Sequence, residues 1–172
     1  MDTEHPRRLV LLRHAKSDWP EGVADHDRPL AARGRRDAPL AGRWLARHGH
    51  APDAVICSTA RRARETWDLA RGALEAAPAV RYESRVYDAT VLALLLLVRE
   101  IPDEQSVVAI VGHNPGLAEL AVGLAAPPSQ PPASFPTAAI AVLGLPGTWS
   151  NAGPGEAKLL AFATPADMRA PG

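Results

Sequence analysis

A three-layer α/β fold, with a mostly parallel central sheet flanked by helices, is what this sequence predicts. Three observations carry that reading: short aliphatic runs that do not alternate, helix-forming stretches between them, and polar clusters directly after three of the runs. Unalternating aliphatic runs suit strands covered on both faces, and strands alternating with helices suit a parallel sheet.

The run Leu9 to Leu12 is the first such strand. The polar stretch "SDWPEGVADHDRPLAARG" then leads into a helix from about Ala31 to His48, with Leu40, Trp44 and Leu45 on its apolar face and Gly49 as its stop. Pro39 inside this helix argues against its continuity. "DAVICS" (53–58) reads as a second buried strand, followed by a helix over "ARRARETWDLARGALEA"; "VRYES" (80–84) is a weak third strand. "ATVLALLLLVREI" (89–101) has helix formers throughout and ends before Pro102. "SVVAIVGHN" (106–114) is the clearest strand and "GLAELAVGLA" (116–125) a short helix. The proline-rich 127–136 reads as an extended loop, and "AAIAVLGL" (138–145) and "AKLLAFAT" (157–164) as two strands that can close the sheet with an antiparallel hairpin.

At 172 residues the chain is expected to form one domain, 1–172. Its formal charge of zero argues against a general nucleic-acid binder but allows a locally basic pocket. Cys57 is the only cysteine, which rules out an internal disulfide and a cysteine metal cluster and fits a reducing compartment. "MDTEHPRRLVLL" lacks the pattern of a signal peptide, and the longest apolar run, "VLALLLLV" (91–98), is far short of the ~20 residues of a membrane span. The expectation is a soluble cytoplasmic protein with no membrane partner.

In open α/β sheets, ligands bind beyond the carboxyl ends of the strands. Strand one ends in Arg13-His14, strand two in Ser58 followed by Arg61, Arg62 and Arg64, and the strand at 107–111 in Gly112-His113-Asn114. Two histidines and at least two arginines therefore converge, with no carboxylate at the immediate tips. A guanidinium offers a planar fork of donors to phosphate oxygens. A neutral imidazole, with an unperturbed pKa of ~6.5, is a nucleophile near neutral pH. A second, protonated histidine can donate to the phosphoryl oxygens in the transition state. The set suits phosphoryl transfer through a phosphohistidine intermediate.

"LVLLRHAKS", "STARRARET" and "VVAIVGHNP" together resemble the histidine phosphatase superfamily, with its phosphoglycerate-mutase-like fold; "DRPLAARGRRDA" (27–38) is similar to the segment that opens the family's first helix. The resemblance covers roughly residues 8 to 125. Short length and "RHAKSDW" look most like the small branch typified by SixA phosphohistidine phosphatase. The resemblance implies that His14 is the nucleophile, that Arg13 and Arg62 bind the phosphoryl group, and that His113 donates to its oxygens. It also implies a reaction without metal or other cofactor. Larger mutase-type members carry Gly-Glu after Arg-His and an asparagine further on; here Ala15, Lys16 and Pro20 stand in those places, so one phosphate donor of the family is absent, and the expected replacement is the nearby Ser17 hydroxyl as a phosphate contact.

Mutase-type members also carry an acidic proton donor in an inserted region that this chain lacks, and Glu83 and Asp88 are its nearest substitutes. Hydrolysis of an alkyl phosphate benefits from such an acid by ~10²–10⁴-fold. An imidazole leaving group, whose conjugate acid titrates near ~6.5, needs less help. The expected substrate is therefore a phosphorylated protein bearing phosphohistidine, with a small phosphorylated metabolite as the runner-up and a non-catalytic phosphate-binding module as the alternative outside enzymes. A cysteine phosphatase fails on spacing, because Ala63 stands six positions after Cys57. Arg61, Arg64, Lys16, Asp18, His26 and the histidines of "HGH" (48–50) read as surface residues, and Trp44 and Trp67 as packing.

Overall fold

A computed structural model describes residues 6–170. The elements in chain order are β1 (Arg7–Arg13), α1 (Ala32–Arg47), β2 (Ala54–Ser58), α2 (Arg61–Ala70), β3 (Ala79–Glu83), α3 (Val91–Arg99), β4 (Val107–Gly112), α4 (Gly116–Leu124), β5 (Ile140–Leu145), β6 (Lys158–Ala163) and α5 (Pro165–Arg169). One sheet runs in the order β3-β2-β4-β1-β5-β6. Strands β1 to β4 pair in parallel, whereas β5 runs antiparallel to both β1 and β6.

Side chains on β1 alternate between the two faces of this sheet, as strand geometry requires. Leu9 and Leu11 join a core with Leu94, Leu97, Leu117 and Leu120 of α3 and α4. Val10 and Leu12 join another with Ala41, Leu45, Ala63 and Trp67 of α1 and α2. Both faces are therefore dry, which explains why β1, β2, β4 and β5 read as unbroken aliphatic runs.

Helix α1 runs through Pro39 without interruption. Proline removes one backbone hydrogen bond there, but buried Ala38, Ala41, Gly42 and Leu45 hold the second half of the helix in place. α2 ends at Ala70, short of the expected 76, and the chain continues as a 3-10 turn at Arg71–Ala73 that contains Gly72. α3 begins where the Thr90 side chain accepts a hydrogen bond from the Ala93 N–H. The sequence reading missed α5, which opens with a Thr164–Asp167 capping box and Pro165 in its first turn.

Two glycines set close approaches. A Cβ on Gly42 would lie 1.8 Å from the Ala70 carbonyl oxygen, and one on Gly34 would lie 2.1 Å from the Lys16 carbonyl oxygen. The first lets α1 pack onto α2. The second seats α1 against the loop that leaves β1. No helix among the described residues is long and apolar enough to cross a membrane.

Candidate active site

Strand register gathers the site. Arg13 pairs with Gly112 across β1 and β4, and Cys57 pairs with Val111 across β2 and β4. His14, Ser58 and His113 therefore emerge together at the carboxyl edge of three adjacent strands. The His14 N–H donates to the Gly112 carbonyl (2.9 Å), and the two imidazoles lie 5.1 Å apart, centroid to centroid, tilted by 54°. Arg13, His14, Arg62 and His113, the four residues singled out in sequence, line one cavity of about 200 Å³, and Ser17 lines it too.

Each imidazole is held by a different kind of partner. His14 Nδ1 donates to the Ala15 carbonyl at 2.8 Å. A carbonyl can only accept, so the proton sits on Nδ1 and the Nε2 lone pair is free. His113 Nε2 shares a hydrogen bond with Ser58 Oγ (2.7 Å), while its Nδ1 is buried with no partner among the described residues. Ser58 Oγ also accepts the Ala60 N–H (3.2 Å). Burial, aided by the neighbouring cations Arg62 and Arg13, lowers His14 to about 3 and His113 to about 4. Both are neutral at pH 7 when the cavity holds no anion.

The arginines are held as well. Arg62 sits in the first turn of α2, is only 7% exposed, and donates to the Asp25 carbonyl (2.7 Å) and to Asp25 Oδ2 (3.2 Å). Arg13 donates to the Phe135 carbonyl (3.0 Å), which also accepts from Asn114 Nδ2 (2.8 Å). Arg61 and Arg64 point to solvent, one pairing with Glu65 and the other capping the Thr59 carbonyl. Ser17 is buried, and its Oγ accepts from Arg28 at 2.6 Å.

Three participants had no role in the sequence reading. Asp25, in a 3-10 turn at Asp25–Asp27, accepts from Arg62, Arg28 and the Tyr87 hydroxyl. Those donors hold its carboxyl well below the usual range. Arg28 is buried and also donates to the Asp18 carbonyl (3.0 Å). Thr66 accepts the Ala15 N–H (2.9 Å) and donates to the Arg62 carbonyl (2.6 Å), so one hydroxyl ties the His14 loop to α2. Thr66 ends the "STARRARET" pattern and could have been found there. Nothing in "DHDR" separates Asp25 from Asp27.

Glu83 chelates Arg85, which lowers its carboxyl, and it is not among the residues lining the His14 cavity. Asp88 lines a neighbouring cavity of about 250 Å³ together with Tyr87, Arg62 and His113. Two surface expectations need correction. His26 is half-buried, bonded to Thr59 Oγ1 (2.8 Å) and edge-on to Tyr87, and His50 is half-buried against Arg8 (2.9 Å). Cys57 packs inside the sheet, where burial pushes its thiol up to about 12.

Residues 9–87 match the family model of the histidine phosphatase superfamily (branch 1). SixA of Nakamurella multipartitia superposes with a TM-score of 0.80 at 35% identity, over 92% of this chain and 96% of that one. The chain belongs to the histidine phosphatase superfamily. SixA of Agrobacterium tumefaciens is similar at 29% identity and a TM-score of 0.76, over 92% of this chain and 98% of that one. An uncharacterized protein of Mycobacterium tuberculosis, Rv1276c, is 44% identical over 161 residues, 90% of this chain and 99% of that protein. The protein is thus a histidine phosphatase of the SixA-type branch, and the predicted α/β fold is the one observed.

The buried pair also ties the stability of this histidine phosphatase to pH. Unfolded histidines take up protons below ~6.5, whereas the folded ones resist until about 4 and about 3. The unfolded chain therefore binds more protons between those limits, and stability falls as pH drops. At pH 5 the cost is about 2 kcal/mol for each histidine relative to pH 7. His50, also lowered by burial, adds in the same direction. Denaturant unfolding at pH 7 and pH 5 checks this, and a His14→Gln/His113→Gln double variant should flatten the slope. Equal wild-type stability at both pH values would contradict it.

Proposed function

We propose that this phosphatase hydrolyses phosphohistidine on a protein through a covalent intermediate on His14. The observation that carries the reading is the His14 Nδ1–Ala15 carbonyl bond, which leaves Nε2 unprotonated in a cavity that Arg13 and Arg62 also line. The two guanidiniums take the phosphoryl oxygens. His14 Nε2 attacks phosphorus, the substrate's N–P bond breaks, and the departing imidazole takes up a proton. Water then attacks phosphorus, the N–P bond to His14 breaks, and inorganic phosphate leaves. A bound dianion raises the proton affinity of His113, which then donates to a phosphoryl oxygen as charge develops. Ser17, held by Arg28, serves the cavity wall.

The choice of a phosphoramidate over an alkyl phosphate rests on the carboxylates. Asp25 stays ionised under three donors and cannot release a proton at neutral pH. Glu83 is committed to Arg85. The relatives named SixA, candidate phosphohistidine phosphatases, agree with this substrate class. The test compares kcat/KM, in excess chelator, on a phosphohistidine-bearing protein and on a panel of alkyl phosphate monoesters. The phosphoprotein should lead by about 10²-fold or more, the value of the missing acid. A faster alkyl monoester would overturn the substrate and direct attention to Asp88 as the proton donor.

A further inference from the structure

The mouth of the His14 cavity carries a residue that the chemistry above does not use. Trp19 is 73% exposed, the most exposed of the large apolar side chains among the described residues, and it lines the same cavity as Arg13, His14 and Arg62. A bare indole at the rim of an anion pocket exposes apolar surface that gains by being covered.

Its setting is rigid. The Arg28 guanidinium lies 3.2 Å from the indole centroid, so one face of the ring is taken. That guanidinium is buried and fixed from three sides, by the Asp18 carbonyl, Asp25 Oδ1 and Ser17 Oγ. The Trp19 backbone N–H donates to Asp18 Oδ1 (2.9 Å), and the Asp18 N–H donates to the Pro29 carbonyl (2.9 Å), which ties this turn to the segment before α1. The ring therefore stands on a preset floor with its other face free, and a partner that stacks there orders little that is not already ordered.

We infer that Trp19 is a specificity-determining platform that packs against the polypeptide flanking the phosphorylated histidine, and so favours a protein substrate over a small phosphate compound. This rests on the phosphoprotein reading above. A cavity of about 200 Å³ has room for a phosphoryl group and the ring that carries it, which leaves the rest of a protein substrate at the rim. There the free indole face suits an aromatic, aliphatic or cationic side chain beside the phosphohistidine.

Kinetics and fluorescence test it together. Trp19→Ala should raise KM for a phosphohistidine protein about five- to tenfold while kcat is held, the fold-change expected for a lost stacking contact. The ratio of kcat/KM on that protein to kcat/KM on phosphoramidate should fall with it, and Trp19→Phe should restore most of the loss. The other three tryptophans are half-buried or buried, so acrylamide quenching reports mainly on Trp19. Adding the phosphoprotein to a non-hydrolysing His14→Ala protein should protect the emission, and adding phosphoramidate should not. An unchanged ratio, or equal protection by both ligands, would overturn the platform while leaving the phosphoprotein reading intact. Failure of the wild-type protein to hydrolyse phosphohistidine would overturn that reading and the platform with it.

Discussion

His14→Ala is expected to lower turnover by roughly four orders of magnitude or more, the scale of loss when a covalent nucleophile is removed. The reasoning is geometric. His14 is the one imidazole in the cavity whose proton is placed by a carbonyl, and its Nε2 lone pair is free in a cavity that also holds the two guanidiniums proposed to draw in the phosphoryl group. His113 has no such assignment, because Ser58 Oγ can either donate or accept. The variant should still fold, since the strand register and the His14 N–H bond to Gly112 need no side chain. Rapid-quench mass spectrometry should show a phosphoryl adduct on the wild type and none on the variant. A variant with more than a tenth of wild-type activity would remove His14 from the mechanism.

Gly34→Ala should damage both the fold and the site. The added methyl would sit 2.1 Å from the Lys16 carbonyl oxygen and 3.0 Å from the Lys16 carbonyl carbon and amide nitrogen. Backbone atoms cannot swing aside as a side-chain tip can. The same carbonyl accepts the Ala31 N–H (2.9 Å), so the loop after His14 and the start of α1 are tied at this point. Either α1 withdraws or Lys16 moves. Overpacking of this kind costs about 3 kcal/mol. A shift of ~1 Å passed along to His14 would cost about 10²-fold in rate. Denaturant unfolding and steady-state kinetics on the same preparation check both effects. A loss of stability under about 1 kcal/mol would show that α1 can yield without strain.

Much of this architecture was legible in the sequence because the sheet is covered on both faces. A parallel strand buried on two sides must be aliphatic throughout, so β1, β2 and β4 announce themselves, and the first polar residues after them fall at the ligand edge. That is why Arg13, His14, Arg62 and His113 could be picked out, and why they share one cavity. What could not be read was the side of the cavity made by loops. Asp25 meets Arg62 and Tyr87 across 37 and 62 residues of sequence, and no local period encodes such a meeting. Pro39 argued against the continuity of the helix expected around it, and α1 continues through it because packing against β1, β2 and α2 outweighs one missing hydrogen bond.

The Phe135 carbonyl has a consequence for how the protein can be divided. It lies outside the 9–87 stretch that carries the family match, in a proline-rich segment with no motif, yet it receives Arg13 and Asn114 together. Its own ring is buried and packs edge-on against Phe162 of β6, centroids 5.4 Å apart. The setting of Arg13 in the His14 cavity is thus fixed from the last strand of the sheet. A shortened protein that kept every signature residue would lose the strut behind Arg13, so the smallest working unit is set by the hairpin's reach, not by the motifs.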